Sequence, residues 1–384
     1  MTGYNKFLKE RKEKNLYRFL RPASFKSQGK ICYGNREYLD FSSNDYLGLA
    51  DHPKMKEASK RAIDELGCGA SASRLLSGDL NIHHILEEKT ALFKGKEAAL
   101  VFNSGYQANV GIINSLCSDN YVIFSDKLSH ASLIDGILLS GAKHFRFRHN
   151  VMNHLETLLK KERNKYKNGL IITETVFSMD GDLAPLREIV DLKDRYGCAI
   201  MIDEAHATGI FGKNGSGAAE AEGLTGRIDL TMGTFSKALG SFGAYLACSG
   251  LIKEYLVNTC RSFIYSTALP PAVIMANVTA LDLIKEEPRR RKTLLENAEY
   301  FRCEIRKNGF EVSGESQIVP LIVGGNEKAV KYAAELQDKG FWVLPVRSPT
   351  VPEGEARLRF SLSAHHKKDQ LLELAEKIKE VIPV

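Results

Sequence analysis

Five short apolar runs that end in polar residues constrain the fold of this chain more than any other feature. They are AALVF (98–102), NYVIFSD (120–126), GLIITET (169–175), CAIMIDEA (198–205) and IDLTMGTF (228–235). Helical patterns, beginning at 53–66 and 81–94, separate them. Such runs predict an α/β fold, with buried parallel strands covered by helices on both faces of one sheet. Ligands bind beyond the carboxyl ends of the strands in sheets of this kind.

The two ends of the chain have a different pattern. Residues 5–20 predict a basic helix, and residues 30–49 predict a hairpin that turns at Gly34 and Asn35. Towards the C-terminus, we predict helices over 288–309, 327–339 and 369–382 and strands over 319–325, 341–346 and 356–363. The predicted organisation is an N-terminal helix and hairpin segment (1–48), a large ligand-binding domain (49–280) and a small C-terminal α+β domain (281–384).

Composition excludes several classes of protein. The 384 residues are 43% hydrophobic, and the net charge of +6 is spread along the chain without a basic stripe. This argues against nucleic-acid binding and suits anionic small molecules. The seven cysteines form no C-x-x-C pair, and the N-terminus is charged, so we expect a cytoplasmic protein with reduced thiols and no membrane segment. The histidine doublets at 83–84 and 365–366 predict surface residues and no metal site.

Three of the predicted strands are followed by residues with distinctive chemistry. After AALVF, Gly105 opens a turn into a helix, where backbone N–H groups suit a phosphate. Asp203 follows four apolar residues, so its carboxylate needs an arginine, a helix N-terminus or a protonated ring nitrogen as a partner. Lys237 lies in TMGTFSKALG, among small and hydroxyl-bearing residues that let a flat, phosphorylated ligand approach the backbone.

These three features together match the needs of pyridoxal phosphate. A lysine forms a Schiff base with its aldehyde, an aspartate keeps its pyridine nitrogen protonated, and amides and hydroxyls such as those of Thr234 and Ser236 bind its phosphate. A dinucleotide is the weaker alternative. GCGASA (67–72) fits G-x-G-x-x-A, but it follows a helical segment, whereas the dinucleotide fingerprint requires a preceding strand.

Seven motifs in order resemble those of the α-oxoamine synthases, over residues 15 to 380. They are FSSNDYLGL, SHASLIDG, ETVFSMDGDLAPL, IDEAHATG, TFSKALG, FIYSTALPP and SPTVPEGEARLRFSLSAHH. The resemblance implies a fold-type I pyridoxal phosphate enzyme that joins an amino acid to an acyl thioester with loss of carbon dioxide. FSSNDYLGL, SMDGDLAPL and PTVPEG are most similar to the member that uses L-alanine and pimeloyl-CoA, or the pimeloyl acyl-carrier-protein thioester, in biotin synthesis.

The resemblance also implies roles for individual residues. Lys237 would be the Schiff-base lysine, Asp203 the partner of the pyridine nitrogen, and His130 the imidazole stacked on the ring. The remaining cofactor contacts would be to the ring hydroxyl (Ser178, His206), to the phosphate (Gly105, Tyr106, Thr234) and to the phosphate of a neighbouring subunit (Ser266, Thr267). The last pair implies a homodimer with shared active sites.

Substrate contacts follow from the same resemblance. Arg359 would bind the amino-acid carboxylate with Asn44 nearby, and Arg18 and Thr350 would lie on the acyl side. Arg21, three residues along the predicted helix, competes with Arg18 for this role.

Several alternatives stay open. The segment GCGASASRLLSG has Ala70 and Ala72 where the family is usually richer in glycine. One methyl group separates alanine from glycine, and a pocket distinguishes a methylene by only ~1–3 kcal/mol. A glycine- or serine-using synthase therefore remains possible, as do an aminotransferase or desulfurase and a non-catalytic partner subunit.

Overall fold

The first helix of the computed structural model, which describes residues 2–383, is shorter than predicted. Helix α1 spans Thr2–Glu13. It ends because Asn15 adopts a left-handed conformation (φ 54°), which asparagine tolerates, while the Leu16 N–H bonds back to the Arg11 carbonyl at 2.7 Å. Arg18 and Arg21 therefore lie beyond the helix, and the prediction that they share a helix face is wrong.

The predicted hairpin is confirmed and belongs to a larger sheet. Strands β1 (Phe25–Ser27), β2 (Lys30–Tyr33) and β3 (Arg36–Asp40) are antiparallel, and β2 and β3 are joined by a turn in which Gly34 has φ 59°. A non-glycine residue would be strained at that angle.

Helices and strands then alternate as the sequence predicts. The elements from residue 53 to residue 203 are α2 (Pro53–Leu66), α3 (Asn81–Lys94), β4 (Ala98–Phe102), α4 (Gly105–Leu116), β5 (Tyr121–Asp126), α5 (Ala131–Ser140), β6 (Lys143–Phe147), α6 (Met152–Glu162), β7 (Asn168–Glu174), α7 (Leu186–Arg195) and β8 (Ala199–Asp203). Those that follow are α8 (Ala218–Ala221), β9 (Leu230–Thr234), β10 (Ala244–Cys248), α9 (Gly250–Thr259), α10 (Arg261–Ile264) and α11 (Pro271–Glu286).

Seven of these strands form one sheet in the order β4-β10-β9-β8-β7-β5-β6. The pairs from β9 through β6 are parallel, whereas β10 is antiparallel to both of its neighbours. The predicted, mostly parallel sheet is therefore confirmed, and β6 and β10 are additions to it. Parallel order brings the carboxyl ends of β5, β7, β8 and β9 to one edge.

Alternate residues of these strands enter two separate hydrophobic clusters. On β7 and β8, Leu170, Ile172 and Met201 lie in one cluster, and Ile171 and Ile200 lie in the other. Since successive strand residues point to opposite faces, the sheet is buried on both sides. A strand with two apolar faces reads as a continuous apolar run, as the sequence does here.

The C-terminal elements are α12 (Arg289–Lys307), β11 (Ile318–Gly324), α13 (Asn326–Asp338), β12 (Phe341–Trp342), β13 (Pro345–Val346), β14 (Ala356–Ser361) and α14 (Lys368–Val381). The predicted strand 341–346 is two strands, because β12 pairs with β3 and β13 pairs with β14. The third sheet has the order β11-β14-β13, and all six residues of β14 are buried.

The chain divides into two compact units. We call residues 49–177 and 183–291 the central unit, and the described part of residues 1–48, 178–182 and 292–384 the terminal unit. The three-part division drawn from the sequence remains a prediction. Within residues 2–383, no helix is both long and apolar enough to cross a membrane.

One member of each histidine doublet is buried, so the prediction of four surface histidines is wrong. His83 and His366 are 1% and 3% exposed. His366 stacks on Phe41, and its burial lowers the pKa of the imidazole to about 4, so it is neutral at pH 7.

Candidate active site

Lys237 lies in the loop after β9 and meets an imidazole. Its Nζ is 2.7 Å from Nε2 of His206, which follows β8. Gly240 (φ 66°) turns this loop, and a Cβ there would collide with the backbone at Leu49 and Ala50. The predicted lysine and the predicted His206 are thus direct neighbours, while Ser236 beside them is exposed.

Asp203 is the last residue of β8 and is 6% exposed. Its Oδ1 accepts a hydrogen bond from the Ala205 backbone N–H, and its Oδ2 accepts one from Asn109 Nδ2, both at 2.9 Å. A carboxylate can accept about four hydrogen bonds. Asp203 therefore keeps capacity for a further donor, such as a protonated ring nitrogen.

His130 caps the N-terminus of α5. Its Nδ1 accepts the backbone N–H of Ser132 at 3.3 Å and lies 2.8 Å from the Ser132 hydroxyl. Desolvation of the ring lowers the pKa of His130, opposed by the negative charge of Asp203 and assisted by the positive charge of Lys237. The ring is therefore neutral at pH 7.

Glu174 also belongs to this site, although it is not among the residues predicted from the sequence. It ends β7 directly beside Asp203 in the strand register, and its Oε1 accepts the His130 backbone N–H at 2.7 Å. Burial, reinforced by the Asp203 charge, raises the pKa of Glu174 to about 8, against the opposing charge of Lys237. The signal was present, because Glu174 ends the apolar run GLIITE in the way that Asp203 ends AIMID.

The predicted phosphate turn has an unsatisfied hydroxyl beside it. Ser104 caps α4 through a bond from the Gln107 N–H, and a Cβ at Gly105 would approach Thr234 Cγ2 to 2.9 Å. Thr234 Oγ1 is buried and has no hydrogen-bond partner among the described residues. An orphaned donor beside the first amides of a helix fits a phosphate, so these residues suit the cofactor. Tyr106 is 50% exposed, and its hydroxyl bonds to Asp135.

Ser266 and Thr267 are hydrogen-bonded to other residues of the central unit. Ser266 Oγ bonds to the Ser262 carbonyl at 2.7 Å and accepts Gln107 Nε2 at 2.8 Å. Asn103 Nδ2 donates to the Thr267 carbonyl at 2.8 Å. The predicted reach to a neighbouring subunit's phosphate remains a prediction.

In the terminal unit, Arg359 donates hydrogen bonds to uncharged oxygens. Its guanidinium donates to the Ser178 carbonyl at 2.5 Å, to Tyr46 Oη at 3.2 Å and to Asn44 Oδ1 at 3.4 Å. It is 9% exposed, and it has no carboxylate partner within residues 2–383. A buried guanidinium without a counterion is a receptor for an anionic group. Tyr46 is an addition to the predicted set.

Arg18 and Arg21, the two candidates for the acyl side, have different hydrogen-bond partners. Arg18 Nη2 donates to Thr350 Oγ1 at 3.0 Å, which brings together the two residues assigned to that side. Arg21 donates to Gln337 at 3.0 Å and lies over Trp342, where it contributes to packing. Which of the two arginines contacts the acyl substrate remains a prediction.

Comparisons with known proteins agree with the fold and the site. The family model for class I and II aminotransferases matches residues 36–378. Solved structures with the same fold include a serine palmitoyltransferase from S. paucimobilis with a bound PLP-myriocin aldimine, at 30% identity and a TM-score of 0.93 over 99% of this chain and 96% of that one. This defines a pyridoxal phosphate-dependent, fold-type I transferase.

Curated relatives narrow the class. The 8-amino-7-oxononanoate synthases of Geotalea daltonii and Geobacter sulfurreducens are 47% and 48% identical, each over 95% of this chain and 94% of their own. The solved 8-amino-7-oxononanoate synthase of Francisella tularensis is 30% identical, with a TM-score of 0.77 over 89% of this chain and 97% of that one. The chain belongs to the class I and II aminotransferase family and, within it, to the 8-amino-7-oxononanoate synthases, which are pyridoxal phosphate-dependent acyltransferases.

Proposed function

We propose that the protein condenses L-alanine with a pimeloyl thioester to give 8-amino-7-oxononanoate, carbon dioxide and the free thiol, in biotin synthesis. The observation that carries the proposal is the pairing of the Lys237 amine with His206 at the strand ends that also present Asp203 and His130. The names of the relatives at 47–48% identity support the choice of substrates.

Bound pyridoxal phosphate supplies an aldehyde for the amino group and a ring that takes up an electron pair. Lys237 would hold the aldehyde, and the spare capacity of the Asp203 carboxylate would receive the ring N–H. Thr234 Oγ1 and the amides that begin α4 would bind the phosphate.

The remaining chemistry falls to side chains of this chain. Arg359 binds the alanine carboxylate, and the alanine amino group takes the place of Lys237 at the aldehyde. The freed Lys237 amine then removes the α-proton. The α-carbon then bonds to the thioester carbonyl carbon, while a donor from His130 stabilises the oxygen. The C–S bond breaks to release a thiolate, which takes up a proton from solvent. Carbon dioxide leaves from the alanine carboxyl group, and Lys237 returns the proton to the α-carbon.

We also propose that the active unit is a homodimer. Leu75, Leu76 and Tyr265 of the central unit are 51%, 80% and 73% exposed, and Leu138 and Leu139 are also exposed. Large apolar side chains at such exposure favour burial against a second copy. Light scattering should give twice the chain mass of 42.7 kDa, and Leu139→Glu should shift it towards one chain.

A substrate matrix tests the reaction. Purified enzyme loaded with pyridoxal phosphate is given alanine, glycine or serine with pimeloyl-CoA or with the pimeloyl acyl-carrier-protein thioester. We expect thiol release and a product of the mass of 8-amino-7-oxononanoate with alanine. If glycine is turned over fastest, the protein is a glycine-using synthase. If serine is turned over fastest, it is a sphingoid-type synthase. Thiol release with none of the three would contradict the proposal.

A further inference from the structure

A chain of hydrogen bonds joins His130 to Asp203 through two residues with no assigned role. Asn109 Nδ2 donates to Asp203 Oδ2 at 2.9 Å and to Ser132 Oγ at 2.9 Å. Ser132 Oγ lies 2.8 Å from His130 Nδ1. Asn109 and Ser132 are 1% and 0% exposed, so water does not compete for these contacts.

The carboxylate fixes the direction of every bond in this chain. A carboxylate only accepts hydrogen bonds, so the Asn109 group that faces Asp203 is the amide NH₂ and not the oxygen. The same NH₂ faces Ser132, whose oxygen must accept it. The Ser132 hydroxyl hydrogen is then directed to His130 Nδ1.

Two donors therefore converge on one nitrogen of His130. The hydroxyl and the backbone N–H of Ser132 both point at Nδ1, and the neutral ring must carry its proton on Nε2. The charged groups around the ring are Asp203, Lys237 and Asp135, and the Glu174 carboxyl group accepts the backbone N–H of His130. Burial and Lys237 oppose protonation of the ring.

We propose that Asn109 and Ser132 are positioning residues that hold His130 with its proton on Nε2, as a hydrogen-bond donor to the thioester carbonyl oxygen. The tautomer follows from the contacts alone, whereas the oxygen that receives the bond rests on the proposed function. A ring held in the other tautomer would present a lone pair to that oxygen and repel it.

The test is histidine NMR of the cofactor-loaded enzyme, with ring nitrogens labelled and the His130 signal assigned by His130→Asn. In the wild type we expect an unprotonated Nδ1 and a protonated Nε2 at pH 7. Ser132→Ala removes the hydroxyl donor that stabilises the neutral form, so the pKa of His130 should rise and the Nδ1–H tautomer should appear. Asn109→Leu should move the same signal in the same direction.

Ser125→Ala is a matched control. Ser125 is also fully buried and lies 2.8 Å from a ring nitrogen, Nε2 of His144, on the pair of strands β5 and β6. It should move the His144 signal and leave that of His130 unchanged. A wild-type His130 with its proton on Nδ1, or a His130 signal that ignores Ser132→Ala, would overturn the proposal.

A kinetic measurement separates this proposal from the proposed function. Ser132→Ala should lower kcat for thiol release about tenfold, less than the loss on the order of 10²-fold expected when an oxyanion donor is itself removed, and should leave the KM for the amino acid unchanged. The proposed function fails if the wild type releases no thiol. The positioning role fails if the NMR result is contrary, whatever the substrates are.

Discussion

Buried polar groups differ in their partners between the strand ends of the central unit and strand β14. At the strand ends, Thr234 Oγ1 is buried and has no hydrogen-bond partner in the part of the chain that the structure describes, and Asp203 keeps spare acceptor capacity. On β14, Arg357 is paired with Asp180 and with Glu355 at 3.1 Å. A structural ion pair satisfies its charges within the chain, whereas a binding group is left to be completed by a ligand.

Arg359 differs from Arg357 in the same way, although both lie on one strand. It lies two residues from Arg357 on the same face of β14, yet its guanidinium bonds only to neutral oxygens among the described residues. The two arginines therefore offer a matched pair for separating binding from stability.

Lys237→Ala tests the strand-end site most severely. It removes the amine that holds the cofactor aldehyde and moves the α-proton, so turnover should fall on the order of 10³-fold or more. The visible absorption of the bound cofactor should change at the same time. Ser241→Ala, a nearby change outside the predicted site, serves as the control. Near-normal turnover of the lysine variant would remove Lys237 from the mechanism.

Glu174→Gln tests whether the buried carboxyl group of Glu174 stays protonated in the folded central unit. The pKa of Glu174 is raised on folding from 4.5 to about 8, so its stabilising contribution is full below pH 4.5 and is lost as pH rises towards 8. Wild-type stability relative to Glu174→Gln should thus fall by up to about 1.4 kcal/mol per pH unit across that window.

Denaturant unfolding of the cofactor-free wild type and variant at pH 5, 6, 7 and 8 measures this difference. The amide of Glu174→Gln still offers an oxygen to the His130 N–H, so the bond itself is kept. A stability difference that does not change with pH would show that Glu174 titrates normally.

Arg359→Lys tests the anion receptor in the terminal unit. A lysine keeps the charge but lacks the planar guanidinium with its two parallel N–H donors. The lost interaction is worth about 2 kcal/mol, so kcat/KM for the amino acid should fall roughly 30-fold. Arg357→Lys should instead lower the unfolding temperature and leave the KM for the amino acid nearly unchanged. Equal kinetic effects in the two variants would erase the distinction between them.

Arg18→Gln should have the smallest effect. The Arg18 guanidinium is exposed and donates a hydrogen bond to Thr350. Loss of its contact with the substrate is worth about 1 kcal/mol, so the KM for the pimeloyl thioester should rise roughly fivefold. Arg21→Gln is the control, because Arg21 contacts Gln337 and Trp342. A larger rise in KM for Arg21→Gln would reverse the assignment.

Much of the fold was predictable because buried parallel strands leave continuous apolar runs in the sequence. KHFRF and AYLAC, the sixth and tenth strands, were missed for different reasons. Lys143 and Arg146 of the edge strand are polar and exposed, so no apolar run marks it. The antiparallel return of β10 beside β9 depends on its pairing with β4, which is distant in sequence.

The candidate site was predictable only where a chemical group ends a strand. Lys237 and Asp203 have local patterns, and Glu174 has one that was overlooked. Asn109 has none, since it lies on a helix and reaches Asp203 and Ser132 only through the order of strands in the sheet. Ser132 contacts His130 locally, two residues along the chain, but its place in the network depends on Asn109. The end of α1 at Glu13 depended on the left-handed Asn15, which the charge pattern did not reveal.

One measurement tests the central claim most directly: a visible absorption titration of the cofactor-loaded enzyme with alanine, glycine and serine, each followed by pimeloyl-CoA. We predict that alanine gives the strongest change in the cofactor spectrum, that a further transient band appears when the thioester is added, and that Lys237→Ala shows neither. A protein that shows no cofactor absorption after loading, or that responds productively only to glycine or serine, would contradict this assignment.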